Sequence, residues 1–414
     1  MTPRAWALLV FLTLLNVLNF VDRQLIATLA PMLMADLGLT RAQIGLLAGF
    51  SFVVFYSVAG LALGAIADRW SRVRLVSGGL ALWSAMTAAS GAAQGFAHLA
   101  GARVLVGVGE ATLTPAALSM LSDTVPSGRL GTATSIYYAG IPLGTALSLV
   151  VAGWMAPQYG WRACFYVLGA VGLVAAAGML LVSEPTRRGV RRATGHLETG
   201  AVLRAVTGTL RRVPALGLTL LGGICLAFAA GSALLGITWL VQERGFEFRT
   251  AAYTAGAVSA LAGFLGNLIA GSVSDWCDRR WPGGRLWAVV AITAALAPLA
   301  MLFYLLTPTS PLFYVCWFFA SAFTTAWFGP LFAVVQQLSP ASARASLVAF
   351  TLLVLNLLGV GPGPWVAGLI GDRATLTGGL LVGLGIGTLA IVPLSLAARR
   401  YTGDLARLQA HDAN

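Results

Sequence analysis

The chain has 414 residues, 58% of them hydrophobic and only 10% charged, with a mean hydropathy of +0.84. A soluble domain carries about 25% charged residues, so this composition excludes a water-soluble body and points to a chain that crosses a bilayer many times. All 26 basic residues are arginine, which excludes P-loop ATPase and Schiff-base chemistry, both of which need a lysine.

The first apolar stretch runs from residue 5 to residue 35 and is interrupted only by Asp22 and Arg23, inside NFVDRQ. With Arg4 before it, this stretch has the look of a signal peptide, but no A-x-A cleavage site follows, so it reads as a retained first span. Further along, residues 42–67, 75–102, 130–161, 163–183, 213–242, 250–274, 345–371 and 374–398 contain no Asp, Glu or Arg. Residues 286–343 form one uncharged run, which the turn signal TPTSP (Thr307–Pro311) divides in two. A segment near 98–122 adds one more span. At roughly 20 apolar residues per spanning helix, the count is about twelve, and the short alternating strands of a β-barrel are absent from the pattern.

The net charge of +12 follows topology. With the N-terminus in the cytoplasm, 19 of the arginines fall on inner loops and tails, six on outer loops and helix ends, and Arg23 lies within a span. This is the positive-inside pattern, with both termini cytoplasmic, in the inner membrane. It argues against a nucleic-acid partner. Cys164, Cys225, Cys277 and Cys316 lie in or beside apolar spans without metal or redox spacing. His98, His196 and His411 are scattered, so neither a metal site nor a cofactor is expected. No nucleophile paired with a base points to an enzyme.

Two halves repeat. GAIADRWSR (Gly64–Arg72) and GSVSDWCDRR (Gly271–Arg280) share an offset of 207 residues at Gly64/Gly271 and Asp68/Asp275. PAALSMLSDTVPSGR (Pro115–Arg129) aligns with PLFAVVQQLSPASAR (Pro330–Arg344) at an offset of 215. The expected organisation is an N-terminal six-helix half over 1–185, a basic cytoplasmic linker over 186–213, a C-terminal six-helix half over 214–400 and a cytoplasmic tail over 401–414. Transporters are often built from such repeats, with the substrate site where the repeats meet.

A charge at mid-bilayer is costly and faces protein or water. Asn16, Asn19 and Arg23 form one polar stripe on the first span, with Asp22 beside it. On the fourth span Arg103, Gly107, Glu110 and Thr114 follow i, i+4, i+7, i+11, one helix face. Gly107 leaves room for a close neighbour. Glu110 stands about 10 Å along the axis from Arg103.

GAIADRWSR followed by Val73 and Arg74 resembles the G-x-x-x-D-R-x-G-R signature of the major facilitator superfamily, with Ser71 at the usual glycine. RVLVGVGEA (Arg103–Ala111) and GWRACF (Gly160–Phe165) resemble further landmarks of that superfamily. FVDRQ, ADRWSRVR, GVGEATLTPAALSMLSD and YYAGIPLG are similar to spinster-like transporters, and anion-transporting relatives are similar in the first and fourth spans. The resemblance implies an all-α fold of two pseudo-symmetric six-helix halves that works by alternating access. It also implies a lysophospholipid or sphingosine-phosphate-like substrate and coupling to protons.

In that fold spans one and four line the central cavity, so Asp22, Arg23, Arg103 and Glu110 are expected to form one network. Glu110 or Asp22 is the expected proton carrier, because burial favours the neutral acid and a neighbouring arginine the charged one. Arg23, Asn19, Arg103 and Thr114 are the expected substrate contacts, arginine being suited to a phosphate. Asp68, Arg69 and Arg72, with Asp275 as second-half counterpart, are expected gate residues on the inner side. Gly140, Pro142 and Gly144 in GIPLG resemble part of a glycine-proline motif of exporters and mark a hinge, since the proline removes a backbone donor. The alternatives are a proton-coupled carrier of soluble organic anions or drugs, and a non-transporting membrane sensor.

Overall fold

The computed structural model describes residues 1–67, 70–126, 129–186, 199–340 and 344–412, and among them every regular element is helical. Ten helical stretches of the described residues are long and apolar enough to cross a membrane. One of them, Leu130–Met179, bends at Gly160, where φ is +78°. Glycine takes this left-handed conformation without steric cost, and the stretch therefore supplies the fifth and sixth spans. Arg72–Gly91 is the third span, which brings the total among the described residues to twelve.

Local chemistry sets many of the boundaries. Thr2 caps the first span, Pro3–Leu37, by accepting from the Ala5 N–H at 3.2 Å, and Gly38 (φ 64°) ends it. Thr40 and Gln43 then form a capping box that starts the second span, which runs through Arg41–Ala48 and Phe50–Ala67. Ser71 caps the third span with φ −62°. No left-handed backbone is needed there, so serine serves at the position where the superfamily signature has glycine. TPTSP separates the ninth span, Gly284–Leu305, from the tenth, which begins at Pro311.

Several spans are broken at mid-length. The fourth consists of Phe96–Glu110 and Leu113–Thr124, divided at Ala111 and Thr112. The fifth breaks at Ala139, between Leu130–Tyr138 and the helix that starts at Gly140. In the eleventh, a π-helical turn, Asn356–Val360, precedes Pro362–Arg373.

Contacts divide the chain into two units. The first holds Met1–Arg191 and Leu234–Ala260, and the second holds Arg192–Ala233 and Leu261–Asn414. Leu234–Ala260 joins the first through contacts such as Arg41 Nε donating to Gln242 Oε1 at 3.1 Å. The core of the first unit is built on Leu9, Leu12, Val76, Leu80, Trp83 and Met120, all fully buried. In the second unit Phe313 and Trp317 pack on Phe303, with centroids 4.9 and 5.6 Å away, so these tenth-span aromatics are core.

Each unit repeats one packing device. A Cβ at Gly144 would stand 2.4 Å from the Val17 carbonyl, and one at Gly363 would stand 2.4 Å from the Phe228 carbonyl. The fifth span thus lies backbone to backbone on the first, and the eleventh on the seventh.

Of the expected linker, residues 187–198 lie outside the described residues, and Thr199–Arg212 is a helix. The expected tail is a continuation of the last helix, Ile391–Asp412. Asp404 on it is 3% exposed and accepts from the Ala215 N–H at 2.7 Å, at the start of the seventh span.

Candidate functional site

The charges of the first span are paired with those of the fourth. Arg23 Nε donates to Glu110 Oε2 at 2.7 Å. Arg103 Nη1 stands 3.8 Å from Asp22 Oδ1, and Asp22 Oδ2 accepts from the Thr87 hydroxyl on the third span. The two pairs cross: each acid takes the arginine of the other helix. The reason lies in the helix geometry. Asp22 and Arg23 point about 100° apart on the first span, and Arg103 and Glu110 lie two turns apart on the fourth. Gly107, between them, lets the fourth span touch the second. A Cβ there would meet the Phe52 carbonyl at 2.9 Å.

That contact brings aromatic rings to the charges. The Arg23 guanidinium lies 4.9, 4.7 and 4.3 Å from the ring centroids of Phe20, Phe52 and Tyr56. Arg103 lies 5.0 Å from the Phe52 centroid, so the two cations share one ring. Cation–π attraction of this kind strengthens when the cation is desolvated.

The two pairs differ in access. The Arg23 side chain is 24% exposed and the Glu110 side chain is 0% exposed. Asp22 and Arg103 are both closed off. Glu110 Oε1, Arg103 Nε and Nη2, and Asn19 Nδ2 are buried without a hydrogen-bond partner among the described residues. Leaving such a group unpaired costs about 1–3 kcal/mol, more when it is charged. Three spare donors and one spare carboxylate oxygen therefore sit in one polar patch of an otherwise apolar bundle, suited to receive a proton or an anion.

Thr114 is tied to the patch through a tyrosine rather than through Glu110. The break at Ala111 and Thr112 places it on the following helix, where its hydroxyl lies 3.2 Å from the Tyr137 hydroxyl.

A second charged cluster sits at the start of the third span. Arg72 is 1% exposed. Its Nε donates to Glu184 Oε1 at 2.9 Å, Nη1 to Ser119 Oγ at 2.9 Å and to Asp123, and Nη2 to the Pro185 carbonyl at 2.7 Å. Glu184 Oε2 also accepts from Ser71 Oγ at 2.6 Å and from the Val73 N–H at 3.0 Å. Partial burial works against the charge of Glu184. The hydrogen bonds from Ser71, Val73 and Arg72, and the Arg72 charge, outweigh it and hold the carboxyl below the ordinary value of 4.5. Asp68 and Arg69 lie outside the described residues.

In the second unit Asp275 accepts from Arg285 Nη2 at 3.0 Å, and Arg285 Nε lies 3.3 Å from Asp278. The Asp275 side chain is 56% exposed, so its cluster is far more open than that of Arg72. Gly140 and Gly144 both touch the first span: a Cβ at Gly140 would stand 3.0 Å from Asn16. Pro142 has no N–H to offer the Tyr138 carbonyl four residues back, and the helical path is interrupted at Ala139 between them.

Sequence reasoning missed Thr87, the Phe20–Phe52–Tyr56 cage and the acids Asp123 and Glu184. Some signals were present. Phe20 and Arg23 are i, i+3, Phe52 and Tyr56 are i, i+4, and Glu184 is the first acid after the sixth span. Thr87 carried no signal, a threonine in an apolar span being ordinary. Among the described residues no group of three or more His, Cys, Asp or Glu could hold a metal ion.

Residues 12–364 match the Major Facilitator Superfamily. An MFS-type efflux pump of Mycolicibacterium smegmatis is 33% identical over 90% of this chain and 86% of its own. Protein spinster of Drosophila melanogaster is 26% identical over 89% of this chain, which spans 62% of that protein. The crystal structure of a bacterial homologue of the human lysosomal transporter Spinster, inward-facing and unoccupied, superposes with a TM-score of 0.82 at 24% identity, over 99% of this chain and 98% of that one.

Proposed function

Since the chain belongs to the major facilitator superfamily and is a spinster-like, multi-pass membrane transporter, we propose that it couples protons to the movement of an amphipathic lipid with an anionic or zwitterionic head, such as a lysophospholipid or a sphingosine-phosphate-like molecule. One observation carries the reading: Arg23, partly exposed on its aromatic cage, is bonded to a Glu110 that is closed off and has one oxygen free. Protonating Glu110 removes the partner of Arg23. The guanidinium is then available to a phosphate through two parallel N–H donors. Deprotonation restores the ion pair and expels the head group. Asp22 holds the second arginine and serves as the reserve proton site, with Thr87 as its donor. Asn19 and Arg103 offer the spare donors, and Thr114 offers a hydroxyl beside Tyr137. Asp68, Arg69, Arg72 and Asp275 act as gate residues on the arginine-rich side, which faces the cytoplasm with both termini. Gly140, Pro142 and Gly144 act as a hinge in alternating access at the cell membrane. Spans of the second half without charge suit the acyl tail.

The test is flux of a lysophospholipid into proteoliposomes under an imposed proton gradient, with wild type and Glu110→Gln. The expected result is gradient-driven flux in the wild type and, in the variant, binding and exchange without response to the gradient. Normal gradient-driven flux in Glu110→Gln overturns the role of Glu110 and passes it to Asp22. Lipid binding without flux under any gradient favours the sensor. The efflux pump at 33% identity supports a second reading, proton-driven export of soluble organic anions or drugs. Flux of such compounds in the absence of lipid flux selects it.

A further inference from the structure

The seventh and twelfth spans, both in the second unit, leave an open groove of about 340 Å³ between them, lined by Pro214, Gly217, Leu218, Leu396 and Arg400. Four of its five walls are apolar or bare backbone and one is a cation. The lining follows helix geometry. Pro214, Gly217 and Leu218 are i, i+3, i+4 on one span, and Leu396 and Arg400 are i, i+4 on the other. Leu396 is 43% exposed, and a Cβ at Gly217 would meet no atom within 4 Å. The groove is therefore open to the surroundings of the second unit, and none of its lining residues belongs to the charged patch of Asp22, Arg23, Arg103 and Glu110.

Its charge is one-sided. Arg399 and Arg400 are exposed, and Arg211 lies three residues before Pro214 at the end of the helix Thr199–Arg212. These three arginines make no ion pair among the described residues. Asp404, one turn beyond Arg400, is engaged: it accepts from the Ala215 N–H at 2.7 Å, and Arg407 lies 3.4 Å from it. An apolar slot ending in unpaired guanidinium groups, on helices that span a bilayer, matches a phospholipid in shape and charge: acyl chain along Gly217 and Leu396, phosphate on Arg400. Basic pockets between spans near the membrane surface recognise anionic head groups in this way.

We propose that this groove is a binding site for an anionic phospholipid of the leaflet that meets the arginine-rich ends of the spans, separate from the transported molecule and independent of what that molecule is. The lipid would tie the seventh span to the twelfth where Asp404 already joins them.

The experiment is native mass spectrometry of the full chain extracted from bilayers that contain phosphatidylglycerol and phosphatidylcholine. Arg400→Gln removes the head-group contact and leaves the groove, Gly217→Leu fills the groove and leaves the charge, and Arg279→Gln removes one charge elsewhere on the same end of the bundle. Retained phosphatidylglycerol is expected to fall about fivefold in Arg400→Gln, the worth of one arginine near a charged surface. It is expected to fall at least as far in Gly217→Leu and to stay unchanged in Arg279→Gln, with phosphatidylcholine weakly held throughout. Equal losses in Arg279→Gln and Arg400→Gln would mean diffuse surface attraction and overturn the site. So would full retention in Gly217→Leu, or phosphatidylcholine held as firmly as phosphatidylglycerol.

Discussion

At the scale of single residues, two kinds of acid do different work. Glu184 is tied to Arg72, Ser71 and Val73, and its carboxyl is held below 4.5. Its folded value lies under its unfolded one, so the stability it contributes is fully present above the unfolded value and is lost as pH falls through the folded one. Glu184→Gln is therefore expected to lower Tm at pH 7, with the difference from wild type shrinking below about pH 4. The pH profile of transport between 5 and 8 should keep its shape, because Glu184 does not titrate there. A profile that flattens in Glu184→Gln would make Glu184 part of proton coupling. Glu110 has no comparable set of donors: one oxygen meets Arg23 and the other has no partner among the described residues. Its place within a span was legible from the sequence, because an acid inside an apolar stretch stands out. Its partner was not, because Arg23 and Arg103 were equally available along the chain.

Individual helices owe their paths to small residues and breaks. Gly144 brings the fifth span onto the backbone of the first, within 2.4 Å of the Val17 carbonyl for any added Cβ. Gly144→Ala must push two backbones apart, an overpacking change that costs roughly 1–3 kcal/mol. Gly101, on an exposed helix face with no atom within 4 Å of an added Cβ, is the contrast. Gly101→Ala is expected to leave Tm unchanged or raise it slightly, since glycine in a helix interior is about 0.5–1 kcal/mol worse than alanine. Thermal unfolding of both variants in detergent checks the pair, and equal effects would sink the close-packing account. Periodicity alone reads the fourth span as one continuous helix. The structure interrupts it at Ala111 and Thr112, where the Thr112 hydroxyl bonds the Gly109 carbonyl at 2.8 Å.

For the molecule as a whole, the proposed orientation rests on the distribution of arginine. A membrane-impermeant thiol reagent reads it on a variant lacking the four native cysteines. Thr309→Cys, between the ninth and tenth spans, is expected to react in intact cells. Pro126→Cys, after the fourth span, is expected to react only once the membrane is permeabilised. The reverse pattern would overturn cytoplasmic termini. The two units share a packing device but not a charge distribution. Arg72 is buried among Asp123, Glu184 and Ser119, while Asp275 is largely exposed beside Arg285. The repeat in the sequence follows the shared geometry, and the difference in burial lies beyond it.

By itself the sequence determined the number of spans, their basic and neutral ends, and which four side chains stand charged inside the apolar stretches. These are one-dimensional properties: hydrophobic length must match the bilayer, and a charge within it is costly wherever the helix packs. Only the tertiary structure decided that Asp22 meets Arg103 and Thr87 while Arg23 meets Glu110, and that both arginines share the Phe52 ring. Those contacts join residues 65 to 87 positions apart for the hydrogen bonds on Asp22 and Glu110. They depend on how far each helix is rotated about its axis, and that rotation is set by glycines and breaks that fit one helix against the next.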